Sequence, residues 1–235
     1  MTSAIIVAAG KSTRMGPSSD KLFLEVSGCP VVGHTWRTFD ACARIDEIII
    51  VIRQEMRDAF AALGKKLGLK KNFRLVPGGK ERQDSVWNGL EALSQSSEIV
   101  AIQDAARPCT SQALIAATIE AARETGAAVA AQPVTDTIKE SSDGKTIERT
   151  LDHSHLWAVQ TPQTFRVEII RRALLEVRKR GLLVTDDTAA CELIGQPVGL
   201  VASSEPNPKI TRREDVAVIS ALLQAAGVPG RSADL

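Results

Sequence analysis

The chain has 235 residues, of which 44% are hydrophobic, so it can bury the core of one substantial α/β domain or of two small ones. Its 29 basic and 28 acidic residues give a net charge of +1, which argues against a general binder of duplex DNA or anionic membranes. Aromatic residues make up only 3% of the chain and none is tyrosine, which argues against an RNA-binding face built on stacked aromatics.

Short β-rich apolar runs alternate with longer segments of helical spacing along most of the chain. Five runs predict buried strands, at Ala4–Ala8, Glu47–Ile52, Phe73–Val76, Ile99–Gln103 and Ala127–Gln132. The segments between them predict helices at Val32–Ala43, Arg57–Leu67, Asp84–Ser94 and Ser111–Thr125. Strands separated by helices form βαβ units, which predicts an α/β fold with a parallel sheet covered on both faces.

Ligands of such sheets bind beyond the carboxyl ends of the strands. This rule directs attention to the loops that follow Ala8, Val76, Gln103 and Gln132.

The segment from Pro133 to Trp157 interrupts the alternation of strands and helices. It is polar, and a turn sequence at Ser141–Gly144 lies between two alternating stretches, which predicts a β-hairpin. The hairpin is either a surface excursion or an arm that packs on another subunit. We favour the arm, at about residues 134–158, because an isolated two-stranded hairpin is only marginally stable in water.

The rest of the chain returns to the α/β pattern. It predicts helices at Val167–Arg180 and Asp187–Ile194, a strand at Val198–Ala202 and a closing helix at Arg213–Ala225. Because no internal repeat or low-complexity linker is present, we expect a single domain over residues 1–235.

No feature of the sequence indicates export or membrane insertion. No apolar run approaches the roughly 18 residues of a membrane span, and the N-terminal segment is apolar before it is basic, the reverse of a secretory signal. The cysteines Cys29, Cys42, Cys109 and Cys191 form no CxxC pair, so they indicate neither a zinc site nor a disulfide framework. We therefore expect a cytoplasmic protein.

A loop of small residues, Ala8-Ala9-Gly10-Lys11-Ser12-Thr13-Arg14-Met15-Gly16, follows the first predicted strand. It is not a P-loop, because Ile5 stands where that motif needs a glycine, and no GxGxxG motif is present. Its backbone N–H groups can approach a nucleotide closely, and Arg14 and Lys21 supply cations for the phosphates. The loop therefore predicts a nucleotide-binding site.

The order of the motifs resembles one enzyme family. Gly10-x-Ser12-Thr13-Arg14-Met15, followed by Lys21-Leu22-Phe23-Leu24, is similar to the signature of nucleotidyltransferases that couple an NTP to a phosphorylated polyol or sugar. Further blocks follow at Gly78–Val86, Asp104–Pro108, Asp136–Lys139, Gln160–Phe165, Thr185–Asp187 and Lys209–Thr211. The ordered set resembles the 2-C-methyl-D-erythritol 4-phosphate cytidylyltransferases over almost the whole chain.

The resemblance implies a Rossmann-like three-layer nucleotidyltransferase fold with a mostly parallel central sheet and a protruding β-hairpin arm. It also implies a cytoplasmic homodimer formed through the arm. The implied reaction transfers CMP from CTP to 2-C-methyl-D-erythritol 4-phosphate, releases pyrophosphate and uses Mg²⁺ or another divalent cation. This step belongs to the non-mevalonate synthesis of isoprenoid precursors.

The resemblance also implies roles for individual residues. Arg14 and Lys21 would stabilise the pentavalent transition state as the catalytic pair. The nucleotide would bind at Ala8, Ala9, Gly10, Gly79, Ser85, Asp104, Ala105 and Lys209. The polyol phosphate would bind at Arg107, Thr137, His153 and Lys209, with Thr137 reaching the partner's site from the arm. Asp104 would also be the metal ligand, whereas Glu81 and Asp84 would be structural.

One position departs from the family pattern. His153 stands where the family usually has an arginine that holds the phosphate of the substrate. A histidine is only partly cationic at neutral pH and cannot make the same bidentate contact. We expect weaker but adequate binding; rescue by Arg149 and a shifted substrate preference are the alternatives.

Two other activities remain open. Ribitol-5-phosphate cytidylyltransferases share nearly all of these motifs, although they more often have a valine where this chain has Ala106 before Arg107. A non-catalytic nucleotide-binding protein could use the same scaffold, but the presence of Arg14, Lys21 and Asp104 argues against it.

Overall fold

The computed structural model describes residues 1–10 and 20–227. Within them the strands are β1 (Thr2–Ala8), β2 (Glu25–Val26), β3 (Cys29–Pro30), β4 (Glu47–Ile52), β5 (Phe73–Pro77), β6 (Ile99–Asp104), β7 (Ala127–Pro133), β8 (Lys139–Glu140), β9 (Arg149–Thr150), β10 (Trp157–Arg166) and β11 (Gly199–Ala202). The helices are α1 (Val31–Ala41), α2 (Arg57–Leu67), α3 (Arg82–Glu91), α4 (Gln112–Thr125), α5 (Val167–Arg180), α6 (Asp187–Glu192) and α7 (Asp215–Ala225). None of the helices described here is both long enough and apolar enough to cross a membrane.

The main sheet has seven strands in the order β11-β7-β10-β6-β1-β4-β5. β1 runs parallel to both β4 and β6, β5 is parallel to β4, and β11 is parallel to β7. All five strands predicted before the arm are present, and the prediction of a mostly parallel sheet is confirmed.

One long strand was not predicted. β10 lies antiparallel between β6 and β7, and its register shifts between Val159 and Gln163. It has no apolar run because polar side chains occupy buried positions along it: Thr164, for example, donates from Oγ1 to Thr118 Oγ1 over 3.0 Å. Buried polar residues that satisfy one another remove the hydrophobic period on which strand prediction depends.

Alternate residues of the central strands pack on opposite faces of the sheet. On one face Ile6, Ile48 and Ile50 pack with apolar residues that include Trp36 of α1 and Phe60 of α2. On the other face Ile5, Ile49 and Val51 pack with apolar side chains of α3 and α5. Helices on both faces of one sheet give the three layers expected of this fold class.

The predicted hairpin is present in the segment that follows β7. β8 and β9 pair antiparallel, with Lys139 opposite Thr150 and Glu140 opposite Arg149. Most of the hairpin is exposed, including Ile147. Four paired residues cannot bury a core, so the hairpin projects from the domain as an arm.

His34 provides a pH-sensitive contact inside the fold. It is buried in α1, and its Nε2–H donates to Val26 O at 2.7 Å. Burial lowers the pKa of His34 below its ordinary value, and it outweighs this hydrogen bond, which acts in the opposite direction. The unfolded chain therefore takes up a proton at a higher pH than the folded chain does.

We expect the protein to lose stability progressively as the pH falls below the ordinary histidine pKa of about 6.5. His34→Gln should flatten this loss, whereas His155→Gln, at an exposed position, should leave it unchanged. Urea unfolding at several pH values measures both effects. If the unfolding free energy of His34→Gln depends on pH as strongly as that of the parent, other groups cause the pH dependence.

Candidate functional site

A cleft of about 680 Å³ opens at the carboxyl edge of the central strands. Its lining includes residues that follow β1, β4, β5 and β6, together with Lys21 and Lys209. Three of the four loops named from the sequence therefore meet here. The fourth, after Gln132, contributes no lining residue, because β10 separates β7 from β6 and the chain then continues into the arm.

Two glycines after β5 allow close approach, Gly78 to the loop after β1 and Gly79 to the first turn of α3. A Cβ atom at Gly78 would lie 2.3 Å from the Cβ of Ala9, and one at Gly79 would lie 2.3 Å from the Cβ of Asp84. Ala8, Ala9 and Gly10 line the cleft beside them, and among the described residues a Cβ at Gly10 would meet nothing within 4 Å. The nucleotide-binding role expected of these three residues stays a prediction.

The start of α3 holds Ser85 against Gly79. The backbone N–H of Gly79 donates to Ser85 Oγ at 3.0 Å, and that hydroxyl donates to Glu81 O at 3.2 Å. The side chains of Glu81 and Asp84 form a reciprocal capping box with the backbone of the same turn. The structural role expected for Glu81 and Asp84 is confirmed by this arrangement.

Asp104, the last residue of β6, lies among three cations. Its Oδ2 is 2.8 Å from Lys209 Nζ and 3.7 Å from Arg107 Nε, and its Oδ1 is 3.9 Å from Arg82 Nε. Burial opposes ionisation of this carboxyl, but the charges of Lys209, Arg82 and Arg107 outweigh burial and hold its pKa below the ordinary value. Asp104 is therefore ionised at neutral pH, and its negative charge attracts three cationic side chains at this edge of the sheet.

Two further residues fix the orientation of Arg82 and Arg107. Arg82 Nη1 lies 2.8 Å from Oδ2 of Asp187, a buried residue of α6. Arg107 Nη1 donates to the backbone oxygen of Asn207 at 2.6 Å, and the Asn207 side chain donates to Thr161 O at 2.8 Å. In addition to their contacts with Asp104, Arg82 is thus held by the carboxylate of Asp187 and Arg107 by the backbone oxygen of Asn207.

Lys21 lines the same cleft and contacts the segment that carries Lys209. It begins a three-residue 3₁₀ turn, Lys21–Phe23, and its Nζ donates to Ile210 O at 3.1 Å. Ile210 N in turn donates to Ala106 O at 2.9 Å, which fastens the segment carrying Lys209 to the loop after β6. The two lysines therefore line one cleft although 188 positions separate them in the chain.

The remaining predicted residues differ in where they lie. Ala105 is buried and lines the cleft. Thr137 and His153 are exposed on the arm and are not among its lining residues. Arg14 lies outside the described residues. Within the described chain, no group of three or more His, Cys, Asp or Glu side chains is arranged to hold a metal ion.

Sequence reasoning assigned no role to two arginines that line the cleft, Arg53 and Arg82. Arg53 follows β4 directly, so the rule about the carboxyl ends of strands marks the loop after Ile52 as well. Arg82 lies inside the Gly78–Val86 block, and its pairing with Asp187 could not be anticipated because the partner is 105 positions away.

Several known proteins similar to this chain carry the same description. The family profile "2-C-methyl-D-erythritol 4-phosphate cytidylyltransferase" matches residues 2–225. A protein of that name from Pelotomaculum thermopropionicum is 42% identical over 223 residues, which is 94% of each chain. One from Bacillus licheniformis is 42% identical over 224 residues, covering 94% of this chain and 95% of that one.

Solved structures are similar over the same extent. The crystal structure of 4-diphosphocytidyl-2C-methyl-D-erythritol synthase from Anaerococcus prevotii has a TM-score of 0.84 and 33% identity, covering 95% of this chain and 96% of that one. The structure of 2-C-methyl-D-erythritol 4-phosphate cytidylyltransferase from Thermus thermophilus has a TM-score of 0.76 and 30% identity, covering 95% and 100%. The similarity therefore includes every strand whose end lines the cleft.

Proposed function

Because the chain belongs to the 2-C-methyl-D-erythritol 4-phosphate cytidylyltransferase family, it is a nucleotidyltransferase, and we propose that the cleft around Asp104 carries out its reaction. CMP is transferred from CTP to 2-C-methyl-D-erythritol 4-phosphate, in the non-mevalonate pathway to isoprenoid precursors. The products are 4-diphosphocytidyl-2-C-methyl-D-erythritol and pyrophosphate. The observation that carries the proposal is that Lys21, Arg82 and Lys209 line one cleft beside a glycine-lined loop. Arg107 is not among the lining residues, but its Nε lies 3.7 Å from Oδ2 of Asp104, which is.

The reaction needs positioning and charge stabilisation more than proton transfer. A phosphate monoester has a second pKa near 6, so the acceptor phosphate is already an anionic nucleophile at neutral pH. Its oxygen attacks the α-phosphorus of CTP in line, the new P–O bond forms, and the bond to the pyrophosphate oxygen breaks. We assign Lys21, together with Arg14, to the charge that develops on the α-phosphoryl oxygens.

The two substrates use different parts of the cleft in this proposal. The backbone of Ala8, Ala9 and Gly10 takes the nucleotide, and Gly79 with Ser85 reads the cytosine edge. Gly79 and Ser85 both line the cleft, which supports this assignment. Their contact with each other and that of Ser85 with Glu81 O would be exchanged for contacts with the base when CTP binds. Arg107 and Lys209 hold phosphate, and Ala105 with Asp104 borders the nucleotide.

A divalent cation fits the donor set if CTP supplies most of its ligands. Mg²⁺ is usually held by one or two carboxylates together with phosphate oxygens and water. Asp104 offers one ionised carboxylate, although Lys209 is 2.8 Å from its Oδ2. We propose Asp104 as the protein ligand, with Lys209 turning toward phosphate when substrates bind. The ion would neutralise charge on the triphosphate.

The first experiment measures pyrophosphate release with CTP and Mg²⁺, comparing 2-C-methyl-D-erythritol 4-phosphate with ribitol 5-phosphate. We expect a strong preference for the former, which would also show that His153 is tolerated. A preference for ribitol 5-phosphate would mean that the acceptor site is assigned wrongly while the nucleotide site stands. Release with neither acceptor would favour a non-catalytic nucleotide-binding protein.

We further propose that the chain forms a homodimer through the arm, so that Thr137 and His153 reach the partner's cleft. Both residues are exposed and lie outside the cleft of their own chain. Apolar side chains exposed in and beside the arm, Ile147, Trp157 and Val159, support a contact with another subunit.

Mixed dimers test this arrangement. A Lys21→Gln subunit has an intact arm, and a Thr137→Ala/His153→Ala subunit has an intact Lys21. Each variant alone should be impaired, but a hybrid should contain one complete site and regain activity. Co-expression with two affinity tags isolates the hybrid. A hybrid no more active than its parents, or a monomer in sedimentation, would contradict the arm exchange.

A further inference from the structure

Arg53 is the first residue after β4, and its side chain lines the cleft and is only 21% exposed. β4 lies between β1 and β5, and all six of its residues are buried. Arg53 therefore projects from one of the most firmly packed strands of the molecule. None of the roles assigned above uses it.

Arg53 has two acidic partners: its Nε lies 3.4 Å from Oε1 of the exposed Glu55, and its Nη2 contacts the residue that precedes Lys21. Arg53 Nη2 lies 2.5 Å from Oδ2 of Asp20, whose side chain is 14% exposed. The other carboxylate oxygen, Oδ1, accepts from the backbone N–H of Leu22 at 3.0 Å and so caps the 3₁₀ turn that Lys21 begins. One carboxylate thus joins the turn of Lys21 to the end of β4.

A turn of three residues does not hold its own geometry. Its internal hydrogen bonds are few, and 3₁₀ geometry is weak over short lengths. Lys21 has a second attachment at its tip, where Nζ donates to Ile210 O at 3.1 Å. The backbone end of the side chain is fixed by Asp20, and Asp20 is fixed by Arg53.

We propose that Arg53 is a positioning residue for Lys21, acting through Asp20 to hold the ammonium group at the α-phosphoryl position. This inference rests on the catalytic role proposed for Lys21. The alternative is that Arg53 contacts the triphosphate of CTP directly, since it also lines the cleft. A positioning residue changes kcat, whereas a residue that binds the ground state changes KM.

Arg53→Met removes the charge and keeps the aliphatic stem. We expect kcat to fall about tenfold, with the KM values for CTP and the acceptor within about twofold, because misplacing a reacting group by a fraction of an ångström lowers the rate but not ground-state binding. Arg53→Lys should recover part of kcat. Normal kcat with a raised KM for CTP would overturn the proposal in favour of direct contact, and unchanged kinetics would remove any role.

Arg74→Met is the matched control. Arg74 lies 2.8 Å from Glu47, the first residue of β4, so this variant breaks an ion pair at the opposite end of the same strand. We expect its kinetic constants to be unchanged at a temperature where both variants are folded. An equal loss of kcat in Arg74→Met and Arg53→Met would assign the effect to stability and overturn the proposal.

A double-mutant cycle of Arg53→Met with Asp20→Asn tests whether Arg53 acts on Lys21 through Asp20. Asparagine can still cap the turn, so this variant removes mainly the ion pair. If Arg53 acts through Asp20, the double variant should be no slower than Arg53→Met alone, and additive losses would contradict the route. Lys21→Gln separates the catalytic role of Lys21 from the positioning role of Arg53. If Lys21→Gln keeps full activity, the proposed role of Lys21 is wrong. If Lys21→Gln loses activity while Arg53→Met has normal kinetics, only the positioning role of Arg53 is wrong.

Discussion

Lys21→Gln is expected to lower kcat by about 10²- to 10³-fold, the usual cost of removing one preorganised charge at a transition state. The KM for CTP should change much less, because the nucleotide contacts proposed at Gly79 and Ser85 remain. Glutamine keeps most of the length of the side chain, and the cap that Asp20 gives to the turn is on the backbone. Steady-state kinetics with saturating acceptor measure the effect.

Lys80→Gln is a suitable comparison, because Lys80 borders the same cleft but is exposed. Charges in that position are screened by solvent, so we expect its kcat to change by less than about fivefold. If both variants lose activity equally, the cleft responds to its total charge and Lys21 has no special position. Thermal unfolding of both proteins checks that the comparison concerns folded enzyme.

Most of the sheet could be predicted because its strands are short apolar runs. β1, β4 and β6 are buried on both faces, and this burial requires the isoleucine- and valine-rich segments that the sequence displays. β10 could not be found in this way, because residues such as Gln163 and Thr164 are buried through hydrogen bonds. Its antiparallel direction also breaks the βαβ pattern from which the parallel sheet was inferred.

The cleft was predictable to the extent that its residues follow strands. Ala8, Gly79 and Asp104 each lie at or just beyond the carboxyl end of a strand, and the sequence places them there. Lys209 follows no predicted strand, and only the family resemblance marked it.

The sequence did not predict which side chains of distant segments contact each other. The contact of Arg82 with Asp187 and that of Arg53 with Asp20 join distant segments, and their partners depend on how the loops pack. The exchange of the arm between subunits stays a prediction, as does the cytoplasmic location.

Asp104→Asn should affect both the fold and the reaction, since it removes the one negative charge shared by Lys209, Arg107 and Arg82. Arg82 keeps its contact with Asp187, but Lys209 and Arg107 lose their carboxylate partner, and we expect this to cost roughly 3 kcal/mol of unfolding free energy. Activity should fall at least about 10²-fold at a temperature where the variant is folded, because the carboxylate is also the proposed metal ligand and sets the directions of the cations.

A second substitution separates the two effects. Lys209→Met in the Asp104→Asn background removes one of the stranded charges, so it should restore part of the stability and none of the activity. Asp84→Asn serves as the control, because its side chain belongs to the capping box of α3 and an asparagine can keep that contact.

Urea unfolding and pyrophosphate release, measured on the same preparations, report the two quantities. If Asp104→Asn retains activity close to that of the parent, the carboxylate only balances charge in the cleft, and the metal and nucleotide roles must be reassigned. If Lys209→Met restores activity as well as stability in the Asp104→Asn background, the loss of activity in Asp104→Asn comes from cations without a carboxylate partner. Asp104 then has no direct part in the chemistry.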